Sequence, residues 1–172
     1  GASKAASTRK FADLAYRFVQ IQGVASASSI IVPRHSSEAR PYLPVGVLPS
    51  TAIVADSALA IYDAPNWNLA IIASRLHLVW IATVCGKLKT DFRYSSTLGW
   101  NTFPVPTLTD QNLRDLTHCA EAILLERERL FPASIAELYD PSNMPESLRR
   151  AHDQNDEVVE RIYAGRRFRN DT

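Results

Sequence analysis

Residues 87–96 read KLKTDFRYSS, with Lys87, Lys89, Asp91, Arg93 and Ser95 at the odd positions and Leu88, Thr90, Phe92, Tyr94 and Ser96 at the even ones. Alternate side chains of an extended chain point to opposite faces, so the pattern predicts one strand with a charged face and a mostly apolar or aromatic face. A half-solvated strand of any antiparallel sheet alternates in the same way. The mixed sign is more informative: three basic groups with a carboxylate among them suit both phosphates and base edges.

Working outward, SSIIVP (28–33) predicts a short strand ended by Pro33, and the proline-rich RPYLPVGVLP (40–49) an edge strand or ordered loop. TAIVAD (51–56) and ALAIYDA (58–64) are β-type runs. Asn66, just after Pro65, is placed to cap one long apolar helix over 67–85, which Gly86 would end in the left-handed conformation. Trp67 and Trp80 belong to its core side, while Arg75 and His77 mark an exposed or partner-facing side. STLGWNTFPVP, with Pro104 and Pro106, predicts a further extended stretch. The fold expected is α+β: a small twisted, mainly antiparallel sheet with a long buried helix, followed by an α-helical hairpin or bundle.

The flanks are helical. Residues 4–22 carry Phe11, Leu14, Ala15, Phe18 and Ile21 at helical spacing, with Gly23 as the stop. After Pro106, Thr109 can cap a helix bearing Leu113, Leu116, Ala120, Ile123, Leu124 and Leu130. SIAELYDPSNMP holds a short helix and turn, and a last helix over about 145–164 aligns Leu148, Ala151, Asn155, Val158, Val159 and Ile162 on one stripe. Two long helices joined in this way form an antiparallel hairpin.

Of 172 residues, 46% are hydrophobic and 22% charged, an ordinary globular composition. The net charge of +1 hides an asymmetry: 10 Lys and Arg against 5 Asp and Glu in residues 1–106, a net of +5, and 9 against 13 in residues 107–172, a net of −4. The first part is therefore the side to meet an anion. Cys85 and Cys119 lack any paired spacing and read as incidental buried thiols of a reduced, cytoplasmic protein, with neither a zinc site nor a disulfide framework. No apolar run is long enough to cross a bilayer. The start Gly-Ala-Ser, without methionine, reads as the end of a piece cut from something larger. A glycine-rich phosphate loop, a His-Glu-x-x-His helix and a Gly-x-Ser-x-Gly elbow are absent, and His35, His77, His118 and His152 are scattered. An independent catalytic site is not expected.

Three blocks resemble the C-terminal part of MmeI-type enzymes, single-chain restriction-modification proteins and their methylase-only relatives: IIVPRHSSEARPYLPVG (30–46), ASRLHLVWIATVCGKLKTDFRYSSTLGWNTFPVP (73–106) and ELYDPSNMPESLRRAHDQNDEVVERIYA (137–164). The resemblance implies three parts: a linker helix over 1–24, a partial DNA target-recognition domain over 25–106 and a C-terminal helical domain over 107–172. It implies a DNA recognition module of an adenine-N6 methyltransferase, with double-stranded DNA and the parent's methyltransferase domain as partners, in a bacterial or archaeal cytoplasm and without membrane attachment. The Phe-x-Gly-x-Gly and Asn-Pro-Pro-Tyr signatures of such a catalytic domain are absent here. No cofactor is thus expected in this fragment, and S-adenosylmethionine is expected in the parent's missing domain.

In that family the charged positions just before the Arg-Tyr-Ser triplet are similar to base-reading residues. The resemblance carries this role onto Lys89 and Asp91, with Arg93 as a third contact. On one strand, residues two apart stand about 6.6 Å from each other. Lysine donates to guanine O6 and N7 and aspartate accepts from cytosine N4, so the pair suits one G·C pair in the major groove. A solvated ion pair is the plainer reading of the same two residues. Arg34, His35, Ser36, Ser37 and Arg40 cluster in a second segment suited to phosphate oxygens or to a capped polar turn, and Lys87 and Ser95 complete the candidate backbone contacts. Arg149, Arg150, Arg166, Arg167 and Arg169 add candidate backbone contacts near the C-terminus. The alternative is a protein-interaction scaffold or specificity subunit, whose helical hairpin binds a partner without base-specific reading. An enzyme acting alone is a third option.

Overall fold

The computed structural model describes residues 5, 6, 9, 11–14, 21 and 23–166. The helix expected over 4–22 lies largely outside these residues; within them Ala12–Leu14 forms a single 3-10 turn. Arg167 and Arg169 also lie outside them.

Two small antiparallel sheets replace the single one expected. In the first, β1 (Ser28–Pro33) is central, flanked by the edge strand β3 (Gly46–Pro49) and by β4 (Ala58–Tyr62). In the second, β6 (Asp91–Arg93) runs between β2 (His35–Ser36) and β5 (Gly86–Leu88). One chain segment feeds both, since β2 follows β1 after Arg34 alone. Residues 51–56 form no strand: Ala52 N–H closes a turn on the Pro49 carbonyl, and Ile53 stays exposed.

The apolar run 67–85 is two helices, α1 (Trp67–Ile72) and α2 (Arg75–Val84). Leu69 to Ala73 are all buried at the centre of the molecule, which explains why α1 shows no amphipathic period. Ser74 causes the break. Its hydroxyl donates to the Ile71 carbonyl at 2.7 Å and accepts from His77 N–H at 3.2 Å, so it starts a new helix instead of continuing the old one. Asn66 precedes α1 without capping it through its side chain. Gly86 is not the left-handed stop expected; Cys85 ends α2 in an extended conformation, and Gly86 opens β5. His77, expected on an exposed side, is fully buried. Residues 96–100 are not extended but form one π-helical turn, which Ser95 starts by accepting from Leu98 N–H at 3.4 Å. Gly99 fits tightly there: a Cβ would stand 3.1 Å from the Tyr94 ring and 3.3 Å from Cys85 Sγ, so either neighbour would have to shift by a few tenths of an ångström.

The helical half follows the sequence closely. Thr109 caps α3 (Asp110–Arg129), Ser134 and Glu137 form a reciprocal capping box on α4 (Ile135–Leu138), and α5 (Glu146–Ala164) ends at Gly165 with φ +70. Asp115 near the start of α3 pairs with Arg161 near the end of α5 at 3.4 Å, as antiparallel helices require. One buried apolar cluster joins this hairpin to the sheets: Leu116, Ala120 and Ile123 of α3 and Leu148 and Val159 of α5 belong to the same core as α1 and β1. Among the described residues, no helix is long and apolar enough to cross a membrane.

A polar seam runs through that junction. Tyr42 Oη lies 2.9 Å from Asp153 Oδ1 and 3.0 Å from Asp156 Oδ2, and Asp156 Oδ1 accepts from Arg75 N–H, the first residue of α2, at 2.9 Å. Burial pushes the Asp156 carboxyl up to about 7, against the donors that favour its charge. His152 stacks on Tyr42 with ring centroids 4.2 Å apart. Its Nε2 lies 2.8 Å from Tyr139 Oη, while the buried Arg127 donates to Tyr139 Oη and to the Val45 carbonyl. Burial, with the Arg127 cation nearby, holds His152 down to about 3, so it accepts from the tyrosine as a neutral ring. Asn155 donates to the Ala70 carbonyl of α1 at 2.8 Å.

Candidate nucleic-acid interface

The stretch KLKTDFRYSS is a hairpin rather than one strand. Gly86 pairs with Arg93, Lys87 with Phe92 and Leu88 with Asp91, leaving Lys89 and Thr90 as a two-residue loop. Lys89 has φ +58, the positive value that tight hairpin turns demand at their first loop position. Parity reverses across such a loop. Directly paired residues share a face, so Lys87 joins the Phe92 side and Leu88 the Asp91 side, opposite to the arrangement read from alternation. Lys-Thr carries none of the Asn-Gly or Asp-Gly signal that would have revealed the turn.

The return strand keeps its alternation: Phe92 and Tyr94 are buried, Asp91 is half-buried and Arg93 exposed. Tyr94 anchors the hairpin. Its hydroxyl lies 2.9 Å from His77 Nε2 on α2, and its N–H donates to the Arg34 carbonyl at 2.8 Å. Phe103 packs edge-on against the His77 ring at 4.6 Å, and burial lowers His77 to about 3, keeping it neutral. The inner face is thus fixed by packing. Asp91 and Arg93 on the outer face, and Lys89 in the loop and so not on one strand with Asp91 as expected, have no ion pair among the described residues.

The second segment is brought alongside the first: His35 pairs with Arg93 and Ser36 with Phe92. His35 is exposed on the Arg93 face. Other members of the expected set are otherwise engaged. Ser36 is buried beneath the sheet, Ser37 accepts from Ala39 N–H at 3.3 Å within its turn, and Ser95 is the cap already described. Lys87 binds Glu38 at 2.7 Å with its ammonium 5.6 Å from the Phe92 ring centre, on the inner side of the hairpin. Arg34 lies 3.3 Å from the exposed Asp56 carboxylate. Arg40 is half-buried, with its N–H on the Ser37 carbonyl. Near the C-terminus, Arg149 is half-buried, Arg150 stands 3.7 Å from Glu146, and Arg166 is exposed. Leu88 and Gly86, which the parity reading left off the charged face, belong to it and could have been found only from the hairpin register.

Among the described residues no three His, Cys, Asp or Glu side chains are grouped to hold a metal ion.

Comparison with known proteins matches this architecture throughout its length. The family model "MmeI, target recognition domain" covers residues 1–107, and "MmeI, C-terminal domain" covers residues 108–172. DNA methyltransferase A of Bacillus subtilis (strain 168) is 42% identical over 143 residues, 83% of this chain but 16% of that protein. The Type IIL restriction-modification enzyme MmeI, solved in complex with DNA, superposes with a TM-score of 0.86 at 30% identity, over 98% of this chain and 22% of that one. The chain thus spans about a fifth or less of the proteins it matches, and it belongs to the MmeI family, of which it carries the target recognition and C-terminal domains.

Proposed function

We propose that this chain is the sequence-reading part of a restriction-modification protein, holding duplex DNA so that a methyltransferase domain elsewhere in the parent can modify an adenine at N6 with S-adenosylmethionine. The observation that carries the reading is the hairpin: Phe92 and Tyr94 fix its inner side, while Lys89, Asp91 and Arg93 stand outward without ionic partners among the described residues. An acid among bases suits base edges better than phosphates. That MmeI was solved with DNA supports the same assignment. Lys89 at the loop tip and Asp91 at the start of β6 address one G·C pair, and Arg93 a neighbouring position. Arg34 flanks the duplex backbone. Leu125, Phe131 and Ile135, all exposed around the end of α3, fit contact with the rest of the parent chain. Such a protein works in the cytoplasm, where bacterial DNA lies.

The test is the exchange Lys89→Asp with Asp91→Lys in the full-length protein, followed by sequencing of its methylated sites. Inversion or relaxation at one G·C position is expected. An active, folded double variant with an unchanged site would refute the assignment.

A further inference from the structure

Gly86 has no structural reason to be glycine. Its φ is not positive, and a Cβ built on it meets nothing within 4 Å. It is nevertheless the β5 residue directly paired with Arg93, and His35 is paired with Arg93 from the other side. The order β2-β6-β5 therefore sets His35, Arg93 and Gly86 in one row across the outer face, with both His35 and Arg93 exposed. Paired residues stand about 5 Å apart, so the row is about 10 Å wide, close to the roughly 12 Å of a major groove. A strand glycine without a turn or packing requirement leaves room for another molecule's atoms to come close.

We propose that His35, Arg93 and Gly86 form one base-reading row, in which the missing side chain at 86 is the clearance that lets a base edge reach the Arg93 guanidinium. This rests on the DNA-reading function proposed above and deepens it. Arg93 presents paired donors to an acceptor edge such as guanine O6 and N7. Any side chain at 86 would project from the same face into the path of that edge. On the opposite flank, the His35 imidazole offers one donor and one acceptor to the adjoining base pair. His35 thereby becomes a specificity-determining residue rather than a phosphate contact.

The experiment uses the full-length protein with short duplexes carrying its own methylation site, measuring affinity against salt and the sites methylated by Gly86→Ala, Gly86→Val and His35→Ala. Both Gly86 variants should keep the wild-type melting temperature, since the added atoms enter open space. Affinity for the site should fall about 10-fold or more, the scale of one lost bidentate base contact, with an unchanged salt slope. His35→Ala should relax one position of the site. Wild-type affinity and site choice in all three variants would overturn the row while leaving the hairpin reading intact. A His35→Ala variant weakened equally on all sequences, with a shallower salt slope, would make His35 a phosphate contact and overturn its part. A wild-type protein without sequence preference would remove the function on which the row depends, and the row with it.

Discussion

Asp156→Asn should stabilise the protein at neutral pH. The Tyr42 hydroxyl carries one proton but lies within hydrogen-bonding distance of two carboxylates, Asp153 at 2.9 Å and Asp156 at 3.0 Å. The triad is complete when Asp156 is protonated: it donates to Tyr42, which donates to Asp153, while its other oxygen keeps Arg75 N–H at 2.9 Å. Burial drives this, Glu160 adds to it, and the Arg75 cation and the donated bonds oppose it; the carboxyl ends at about 7 against an ordinary 3.8. At about 1.4 kcal/mol per unit, the difference amounts to about 4 kcal/mol. Its sign follows from linkage. Below pH 4 both states hold the proton and the contribution is whole; between pH 4 and 7 the unfolded chain releases a proton that the folded one retains, so stability falls; above pH 7 the loss is complete. Asparagine reproduces the protonated acid, with its amide donating to Tyr42 and its oxygen accepting from Arg75. Urea unfolding followed by tryptophan fluorescence should show variant and wild type alike at pH 4 and the variant more stable by a few kcal/mol at pH 8. Parallel pH profiles, or a variant less stable at pH 8, would refute the reasoning.

Lys89→Gly should raise stability by about 1 kcal/mol by relieving the φ +58 of a side-chain-bearing residue, while abolishing discrimination at the G·C position; thermal melting and site sequencing report the two effects separately. Arg127→Ala should cost about 3 kcal/mol in denaturant unfolding, because the Val45 carbonyl and Tyr139 hydroxyl lose a buried charged donor. His77 and His152, both held to about 3 by burial, should show no imidazole titration by NMR between pH 5 and 8, and a midpoint near 6.5 for either would contradict the packing described.

The elements that the sequence disclosed are those whose signal is local. Thr109 marks a helix start by chemistry acting within one turn, and the stripe Leu148–Ala151–Asn155–Val159 faces the core as its spacing predicts. Features set by distant partners stayed hidden. The apolar run 67–85 conceals its break because both Ser74, a weak cue within a run, and Asp156, 81 residues beyond Arg75, are needed to begin α2. His77 read as an interruption because its partner Tyr94 lies in another element. The candidate interface was legible in its residue types but not in its geometry: alternation named Asp91 and Arg93 correctly as outward, then misplaced Lys87 and Leu88, since an unmarked two-residue loop reverses parity.

The Asp156 contact has a consequence for building chimeras. A carboxylate on α5 receives the first N–H of α2, α2 carries His77, and His77 holds Tyr94 at the base of the hairpin. The angle at which the tip is offered is therefore registered against the last helix of the chain, through three side chains in series. A graft taking residues 25–106 alone from one relative to another would carry over the reading residues but leave behind the datum from which they are aimed. A graft that includes α5 is therefore expected to keep the hairpin's setting better than one without it.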